Sequence, residues 1–345
     1  MVKLRPLQAK DHERLIAYAF ACSEGLTSMP KDRAILEQKL AFSMRCFEKG
    51  DILKNERGLF LFVLENDEGL AVGMSAIKTY VGHGNWALSF TSQEQQLNWI
   101  ELEANLSELC SLYLDPLQRH HLWGKALSYC RFFFIGEHPS FFADKILAQL
   151  RGWILPSGDC PFWDEIKKFT GSEQSRRLSF KEAHHLVATG QKSVRDLLPG
   201  PLPRLEQFSL SLHPYIGHAH EHTAPAERLL QEIHFHKQHR LDALDAGPHY
   251  EKDLLSCPLM SCIRYWELEK EGSSPQASAL ESVQTLIETS RSNHPCDFEL
   301  KLVSAKVDIQ AGRLLLKQED LESMTSRQAK ALILEPFHHH SSRHS

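Results

Sequence analysis

The chain has 345 residues, of which 42% are hydrophobic, 24% are charged and 20 are histidines. This composition is typical of globular proteins and excludes a disordered chain, a collagen-like repeat and a minimal disulfide scaffold. The net charge of -5 gives no excess of cations for a phosphate backbone, so we expect no nucleic-acid partner. The N-terminal sequence has no signal-peptide pattern, no segment has the length of a membrane helix, and the eight cysteines form no C-x-x-C pair. We therefore expect a cytoplasmic protein with reduced thiols and no membrane partner.

The first third of the chain predicts short strands and amphipathic helices. A short strand is predicted at Leu4-Arg5-Pro6, helices over residues 10–22 and 31–47, strands over 59–65 and 70–77, and a buried strand over 109–114. The turn Asn66-Asp67-Glu68-Gly69 favours a hairpin between the strands that flank it. Pro116 ends the buried strand, and a helix through residues 126–134 is predicted to follow. Residues 81–106 are polar and carry no clear pattern.

The second half of the chain begins with a loop-rich stretch, 150–215, where proline and glycine are frequent. Thr223 is placed to cap a helix that runs on to about residue 235, with Pro225 in its first turn. A linker at 271–275, a helix over about 277–289 and strands over 298–307 and 313–317 are predicted next. We expect three parts: a main domain over 1–255, a small α/β segment over 256–335, and a flexible His/Ser tail over 336–345.

Three alternating histidines, His218, His220 and His222, raise the question of a metal site. On a strand they would share one face, and three imidazoles are a known zinc ligand set. However, they lie at the start of a predicted helix, where the alternation can break, and no carboxylate is placed as a general base. Surface or capping histidines are the alternative.

The segment from Arg119 to Gly124 lies between a strand and a helix. A basic residue and a glycine at a helix N-terminus can hold an anion through free backbone N–H groups. An ordinary strand-to-helix connection is the alternative, since one glycine is a weak signal. No Gly-x-Ser-x-Gly motif is present, so we expect no covalent acyl-enzyme.

Several segments carry a resemblance when they are taken together in chain order. They are Leu4-Arg5-Pro6, Gly25-Leu26-Thr27-Ser28, Ser107 to Pro116, Arg119 with Gly124, Arg131-Phe132, Pro161-Phe162-Trp163, Ile216-Gly217 with His220, Thr223-Ala224-Pro225-Ala226 and Gly247-Pro248. Together these segments resemble the arginine N-succinyltransferase family of the N-acetyltransferase (GNAT) superfamily. The resemblance implies a GNAT-like α+β fold, with a central mixed sheet flanked by helices and a small C-terminal β-rich segment. It implies transfer of the succinyl group of the co-substrate succinyl-CoA to the α-amine of L-arginine, the first step of an arginine-degrading route, with no permanently bound cofactor and no metal.

The resemblance also assigns residues. His220 occupies the place of the family's proton donor, and Leu112 that of its succinyl-CoA contact. The backbone around Leu112 and Leu114 would hold the thioester and pantetheine, with Arg119 and Gly124 at the pyrophosphate. The succinyl carboxylate requires a cation, for which Lys192 and Arg131 are candidates, and the guanidinium of the acceptor requires a carboxylate, for which Glu108 and Asp245 are candidates.

The chain departs from the family pattern at three places. Leu122 replaces a glycine and reduces the room for the pyrophosphate, and Glu221 replaces a proline, which predicts a raised pKa for His220. The stretch over 81–106 is shorter than usual. These departures leave open an acceptor other than arginine, such as ornithine or another basic amine, and a catalytically silent or metal-binding relative. We expect a homo-oligomer or a hetero-oligomer with a related subunit.

Overall fold

The computed structural model describes residues 1–22, 28–52, 56–89, 95–119, 122–170, 172–272 and 280–334. The strands are β1 (Lys3–Pro6), β2 (Leu59–Glu65), β3 (Ala71–Lys78), β4 (Trp86–Ser89), β5 (Asn98–Glu101), β6 (Ser107–Leu114), β7 (Lys145–Gln149), β8 (His236–Leu241), β9 (Pro248–Asp253), β10 (Arg264–Lys270), β11 (Ser282–Glu288), β12 (Leu300–Asp308), β13 (Arg313–Leu316) and β14 (Gln328–Ile333). The α-helices are α1 (His12–Ala21), α2 (Arg33–Lys49), α3 (Trp123–Glu137), α4 (Pro161–Ile166), α5 (Glu173–Arg177), α6 (Phe180–Ala188), α7 (Val194–Leu197), α8 (Ala224–Glu232), α9 (Pro258–Cys262) and α10 (Gln318–Glu322).

In this part of the chain the strands form one continuous sheet, ordered β11-β14-β10-β13-β12-β1-β2-β3-β6-β7-β9-β8-β4-β5. The pairs β6–β7 and β10–β13 are parallel, while β1–β2, β2–β3, β3–β6 and β7–β9 are antiparallel. A central mixed sheet flanked by helices confirms the predicted α+β fold class. The loop-rich stretch holds the short helices α4 to α7 around a core that includes the buried Trp163.

The helices of the first 140 residues cover the two faces of this sheet. Side chains of β2 alternate between the faces, because successive residues of a strand point to opposite sides. Phe60 and Phe62 face α3 and its buried Phe134, whereas Leu61 and Val63 face α1 and α2. The predicted hairpin is confirmed as β2 and β3, and its turn has the expected glycine, Gly69, at φ 78°.

The strands β10 to β14 close into a ring, because β11 pairs with both β14 and β12. The predicted helix over 277–289 is therefore wrong for residues 282–288, which form β11; residues 277–279 lie outside the described residues. The segment has apolar residues at helical spacing, but the β-branched Val283, Thr285 and Ile287 favour a strand. Pairing of its two edges with β12 and β14 then makes this segment a strand.

The ring joins the rest of the sheet through β12 and β1, where Lys3 pairs with Lys301 and Leu4 with Leu300. Phe298, just before β12, packs edge-on against Phe134, with ring centroids 5.2 Å apart. The C-terminal segment thus shares a core with the first 140 residues. Within the described residues, no helix is long and apolar enough to cross a membrane. The predicted tail over 336–345 lies outside them.

Candidate active site

Strand β6 carries a bulge in the middle of the sheet. Its register with β3 shifts between Met74 and Ala76, so that Ser111 and Leu112 share one opposing position. Ser111 has φ 54°, in the left-handed region that residues other than glycine rarely adopt. Ser28 supports this turn, since its Oγ accepts the Ser111 amide at 3.1 Å. A bulge redirects the backbone, and here it turns the main chain of Leu112 out of the ladder.

The parallel strands β6 and β7 separate just before this bulge. They pair from Ser107 to Leu109, and Cys110 and Gln149 are the first residues beyond the last pair. The gap between them opens into a cleft of about 850 Å³. The two separating strands, α2, α3, the start of α8 and the turn after β8 line this cleft. A V-shaped gap of this kind exposes main-chain groups that a continuous sheet would pair.

Cationic side chains occupy one part of the cleft wall. Lys78 Nζ lies 2.7 Å from Glu108 Oε2, and Lys39 donates to the carbonyl of Ser28. Burial of the Lys39 ammonium lowers its pKa. Arg131, on α3, also lines the cleft, and burial lowers its pKa to about 10, so that it remains charged at neutral pH.

Two aspartates from the turn after β8 line another part of the cleft. Asp242 Oδ1 accepts the amides of Leu244 at 2.8 Å and Asp245 at 3.1 Å. Burial, and then the charge of Asp242, raise the pKa of the Asp245 carboxyl.

Two glycines allow the chain after β7 and the turn before β9 to approach closely. A Cβ on Gly152 would lie 1.9 Å from the carbonyl oxygen of Asp245, and one on Gly247 would lie 2.0 Å from that of Leu150. The buried carboxyl of Asp245 accepts the Gly247 amide at 2.8 Å. The close approach at the two glycines holds this turn, and with it Asp242 and Asp245, against the chain after β7.

His220 lies immediately before the first turn that leads into α8, and 6% of its surface is exposed. Its Nδ1 accepts the backbone N–H of His222 at 3.1 Å, so the neutral ring carries its proton on Nε2. Its amide donates to the carbonyl of Arg151 at 2.9 Å, and its ring lies 5.0 Å from the Trp153 ring. His220 itself does not line the cleft, but Thr223, whose hydroxyl donates to the His220 carbonyl, does.

The environment of His220 favours the neutral ring. Burial, then the charges of Arg151 and His222, lower its pKa to about 4. Glu221 acts in the opposite direction, as the sequence predicted, but its effect is smaller. The prediction of a raised pKa for His220 is therefore wrong, because the sequence did not reveal the burial or the nearby arginine.

Comparisons of the sequence and of the structure with known proteins agree with one another. A family model described as "Arginine N-succinyltransferase beta subunit" matches residues 2–257. The chain belongs to the arginine N-succinyltransferase family. The arginine N-succinyltransferase of Citrobacter koseri is 31% identical over 270 residues, which cover 74% of this chain and 76% of that protein. That of Escherichia coli strain 55989 is 29% identical over 340 residues, 94% of each chain. Subunit AI of the arginine/ornithine succinyltransferase from Pseudomonas aeruginosa has the same fold, with a TM-score of 0.76, 19% identity, and coverage of 97% of this chain and 99% of that one.

The binding residues that the family resemblance implied occupy two neighbouring places. Leu112 lines the cleft at the bulge. Leu114, Arg119 and Gly124 lie together at the start of α3, where Arg119 Nε donates to the Leu114 carbonyl at 3.2 Å. A Cβ on Gly124 would meet only Leu114, at 3.8 Å, so the space beside this glycine is open. His120 and His121, in the same loop, lie outside the described residues.

Of the residues proposed from the sequence to bind charged groups of the substrates, three line the cleft and one does not. Arg131, Glu108 and Asp245 line the cleft, whereas Lys192 is exposed and does not. The sequence analysis missed Lys39 and Asp242, which also line it. No local motif marks either residue, because each reaches the cleft only through tertiary packing.

The three alternating histidines do not share a strand face. Residues 221–223 form a 3-10 turn, which breaks the alternation, and His218 Nδ1 lies 3.1 Å from the Ile216 carbonyl. In the described ranges, no group of three or more His, Cys, Asp or Glu side chains is arranged to hold a metal ion. The strand arrangement on which the zinc alternative depended is therefore wrong.

Proposed function

We propose that this chain transfers the succinyl group of succinyl-CoA to the α-amine of L-arginine. The observation that carries the proposal is family membership over residues 2–257, a span that contains the bulged strand and every wall of the cleft. One relative named for this activity, that of Escherichia coli strain 55989, aligns with 94% of the chain. The charges of the cleft agree with the two substrates, because an anionic acyl group and a cationic acceptor need opposite partners.

The donor is proposed to lie along β6 and the start of α3. The exposed main chain at Leu112 and Leu114 suits the amide groups of a pantetheine arm, which hydrogen-bond like an added strand. The open space beside Gly124 and the cation of Arg119 suit the pyrophosphate at a helix N-terminus. Leu122, the N-cap residue of α3, is half-buried and packs against the hydrophobic core.

The acceptor is proposed to enter from the side of Asp242. A guanidinium group forms its strongest hydrogen bonds with carboxylates, and Asp242 lines the cleft while burial raises the pKa of its neighbour Asp245. Glu108 is less suited, because Lys78 already neutralises it. Of the two carboxylates proposed from the sequence, neither is then the main partner of the guanidinium.

The reaction is proposed as a direct attack in a ternary complex. The neutral amine attacks the thioester carbonyl, the C–N bond forms, and the C–S bond breaks to release the thiolate of CoA. Backbone N–H groups beside the bulge stabilise the negative charge on the carbonyl oxygen. In this proposal the imidazolium form of His220 gives its Nε2 proton to the departing thiolate and becomes neutral, and the proton that the amine loses restores the imidazolium.

Release of free thiol from succinyl-CoA tests the function. The purified chain is given succinyl-CoA with L-arginine, with L-ornithine, or without an acceptor, and the product is identified by mass spectrometry. We expect arginine-dependent release and N-succinylated arginine. Faster release with ornithine would identify ornithine as the acceptor in place of arginine. Release that no amine accelerates would support the catalytically silent alternative. The predicted oligomer is checked on the same sample by light scattering.

A further inference from the structure

Two arginines are buried to the same extent but differ in their partners. Arg5 and Arg131 are 4% and 3% exposed. Arg5 is neutralised, since its guanidinium bonds to Asp11 at 2.8 Å and to Glu65 at 2.8 Å. Arg131 bonds only within its own helix, from Nε to the carbonyl of Ser128 at 2.9 Å and from Nη2 to its hydroxyl at 2.8 Å.

No carboxylate among the described residues pairs with Arg131. Burial lowers its pKa to about 10, and the groups that oppose this are two thiols, those of Cys130 and Cys110. For Arg5, by contrast, the carboxylates outweigh burial and its pKa is raised. An uncompensated buried cation carries a large desolvation cost, which an incoming anion would offset.

The position of Arg131 indicates where such an anion would lie. Arg131 and Ser128 line the same cleft as Cys110, the first residue of β6 beyond its last pair with β7, and as the bulge residue Leu112. The bonds to Ser128 fix the plane of the guanidinium, and none of the described residues bonds to Nη1.

Other cations of the cleft wall are already engaged. Lys78 is neutralised by Glu108, and Lys39 donates to the Ser28 carbonyl. Lys192, the other cation that the sequence offered, lies outside the cleft. Arg57, which also lines the cleft, is exposed, and the charge of the buried Arg151 acts on the carboxyl of Asp245.

We propose that Arg131 binds the free carboxylate of the acyl group and thereby selects a dicarboxylic acyl donor over an uncharged one. This inference rests on the proposed function and adds the residue that determines the donor. The planar fork of the guanidinium matches a carboxylate in geometry, whereas an uncharged acyl chain would leave the buried charge unpaired. Loss of a hydrogen bond to a charged group corresponds to a change on the order of 10²-fold in affinity.

The test compares succinyl-CoA with butyryl-CoA, an uncharged donor with the same number of acyl carbons. Binding of each to the full chain is measured by calorimetry without acceptor, and kcat/KM is measured with arginine. We expect Arg131→Met to reduce binding and kcat/KM for succinyl-CoA on the order of 10²-fold while those for butyryl-CoA stay or rise. Arg131→Lys should keep part of the preference, because it keeps the charge but loses the fork.

Two matched variants separate binding from folding. Lys192→Met removes a cation outside the cleft and should leave the preference unchanged, while Ser128→Ala loosens the guanidinium and should weaken it. A wild-type chain that binds the two donors equally, or an Arg131→Met variant with the wild-type ratio, overturns the inference. Failure of the proposed function would give a different result. The chain would still bind succinyl-CoA in preference to butyryl-CoA, but it would not release thiol in response to arginine.

Discussion

Replacement of His220 separates its two roles, the proposed proton donor and the cap of the turn at 221–223. His220→Asn keeps a side-chain oxygen that can accept the His222 amide, because asparagine is a preferred N-cap residue. It removes the imidazole proton. His220→Ala removes both, and the two variants alike lose the ring contact to Trp153. The pair of variants therefore distinguishes chemistry from local folding.

The expected magnitudes follow from the surroundings of the ring. If Nε2–H protonates the thiolate, kcat falls about 10²–10⁴-fold in both variants while KM for the donor changes little. The Ala variant should also lose about 1 kcal/mol of unfolding free energy for the cap, which the Asn variant retains. A pKa of about 4 for His220 means that roughly one ring in 10³ is protonated at pH 7. The imidazolium that donates the proton is thus a minor species at this pH.

The same pKa predicts the acid stability of the wild type. Because the pKa of His220 is lowered on folding, the unfolded chain takes up the proton first, and stability is lost as the pH falls from 6.5 towards 4. Over this pH range the wild type loses roughly 3 kcal/mol of unfolding free energy, and the Asn variant does not. Urea unfolding at several pH values and pH profiles of kcat measure both effects. A wild-type kcat in the Asn variant would remove His220 from the chemistry, and a kcat titration of this ring near pH 6.5 would refute the electrostatic argument.

Three further predictions concern the fold. Gly152→Ala places a Cβ 1.9 Å from a backbone oxygen and should cost more than about 4 kcal/mol, so an unchanged urea midpoint would contradict the close approach. Phe298→Ala should cost about 3–5 kcal/mol in one transition shared by fluorescence and activity, whereas two separate transitions would show an uncoupled C-terminal segment. Although burial opposes it, hydrogen bonds from Lys10 and Arg5 hold the pKa of Glu65 at about 2, so the wild type loses roughly 3 kcal/mol as the pH falls from 4.5 to 2. Glu65→Gln should lack that loss in acid titrations of unfolding, and equal acid sensitivity would refute the ion pair.

The sequence predicted those elements whose residues carry their own signal. The boundaries of β2 agree with the prediction, because hydrophobic runs on both sides of an Asn–Gly turn specify a hairpin locally. The segment 282–288 fits a helix or a strand by pattern alone, and its pairing with β12 and β14 decides between them. The paired residues lie 12 to 48 positions further along the chain, outside any local window.

The site was predictable to a different extent. Motifs close in sequence, such as the strand before Pro116 and the start of α3, indicated the residues that we propose to bind the donor. The charge balance of Arg131 was not accessible, because it depends on the carboxylates that the fold keeps away from it. The pKa of His220 was hidden for the same reason, since Arg151 approaches it from a different strand end.

The pairing of β1 with β12 has a consequence for synthesis on the ribosome. One edge of β1 meets β2 early, but its other edge pairs with residues 300–301, which emerge more than two hundred residues later. At typical elongation rates that edge stays unpaired for roughly 10–50 seconds. Lys3 lies on this strand, and a charge of this kind discourages association between nascent chains through open strand edges.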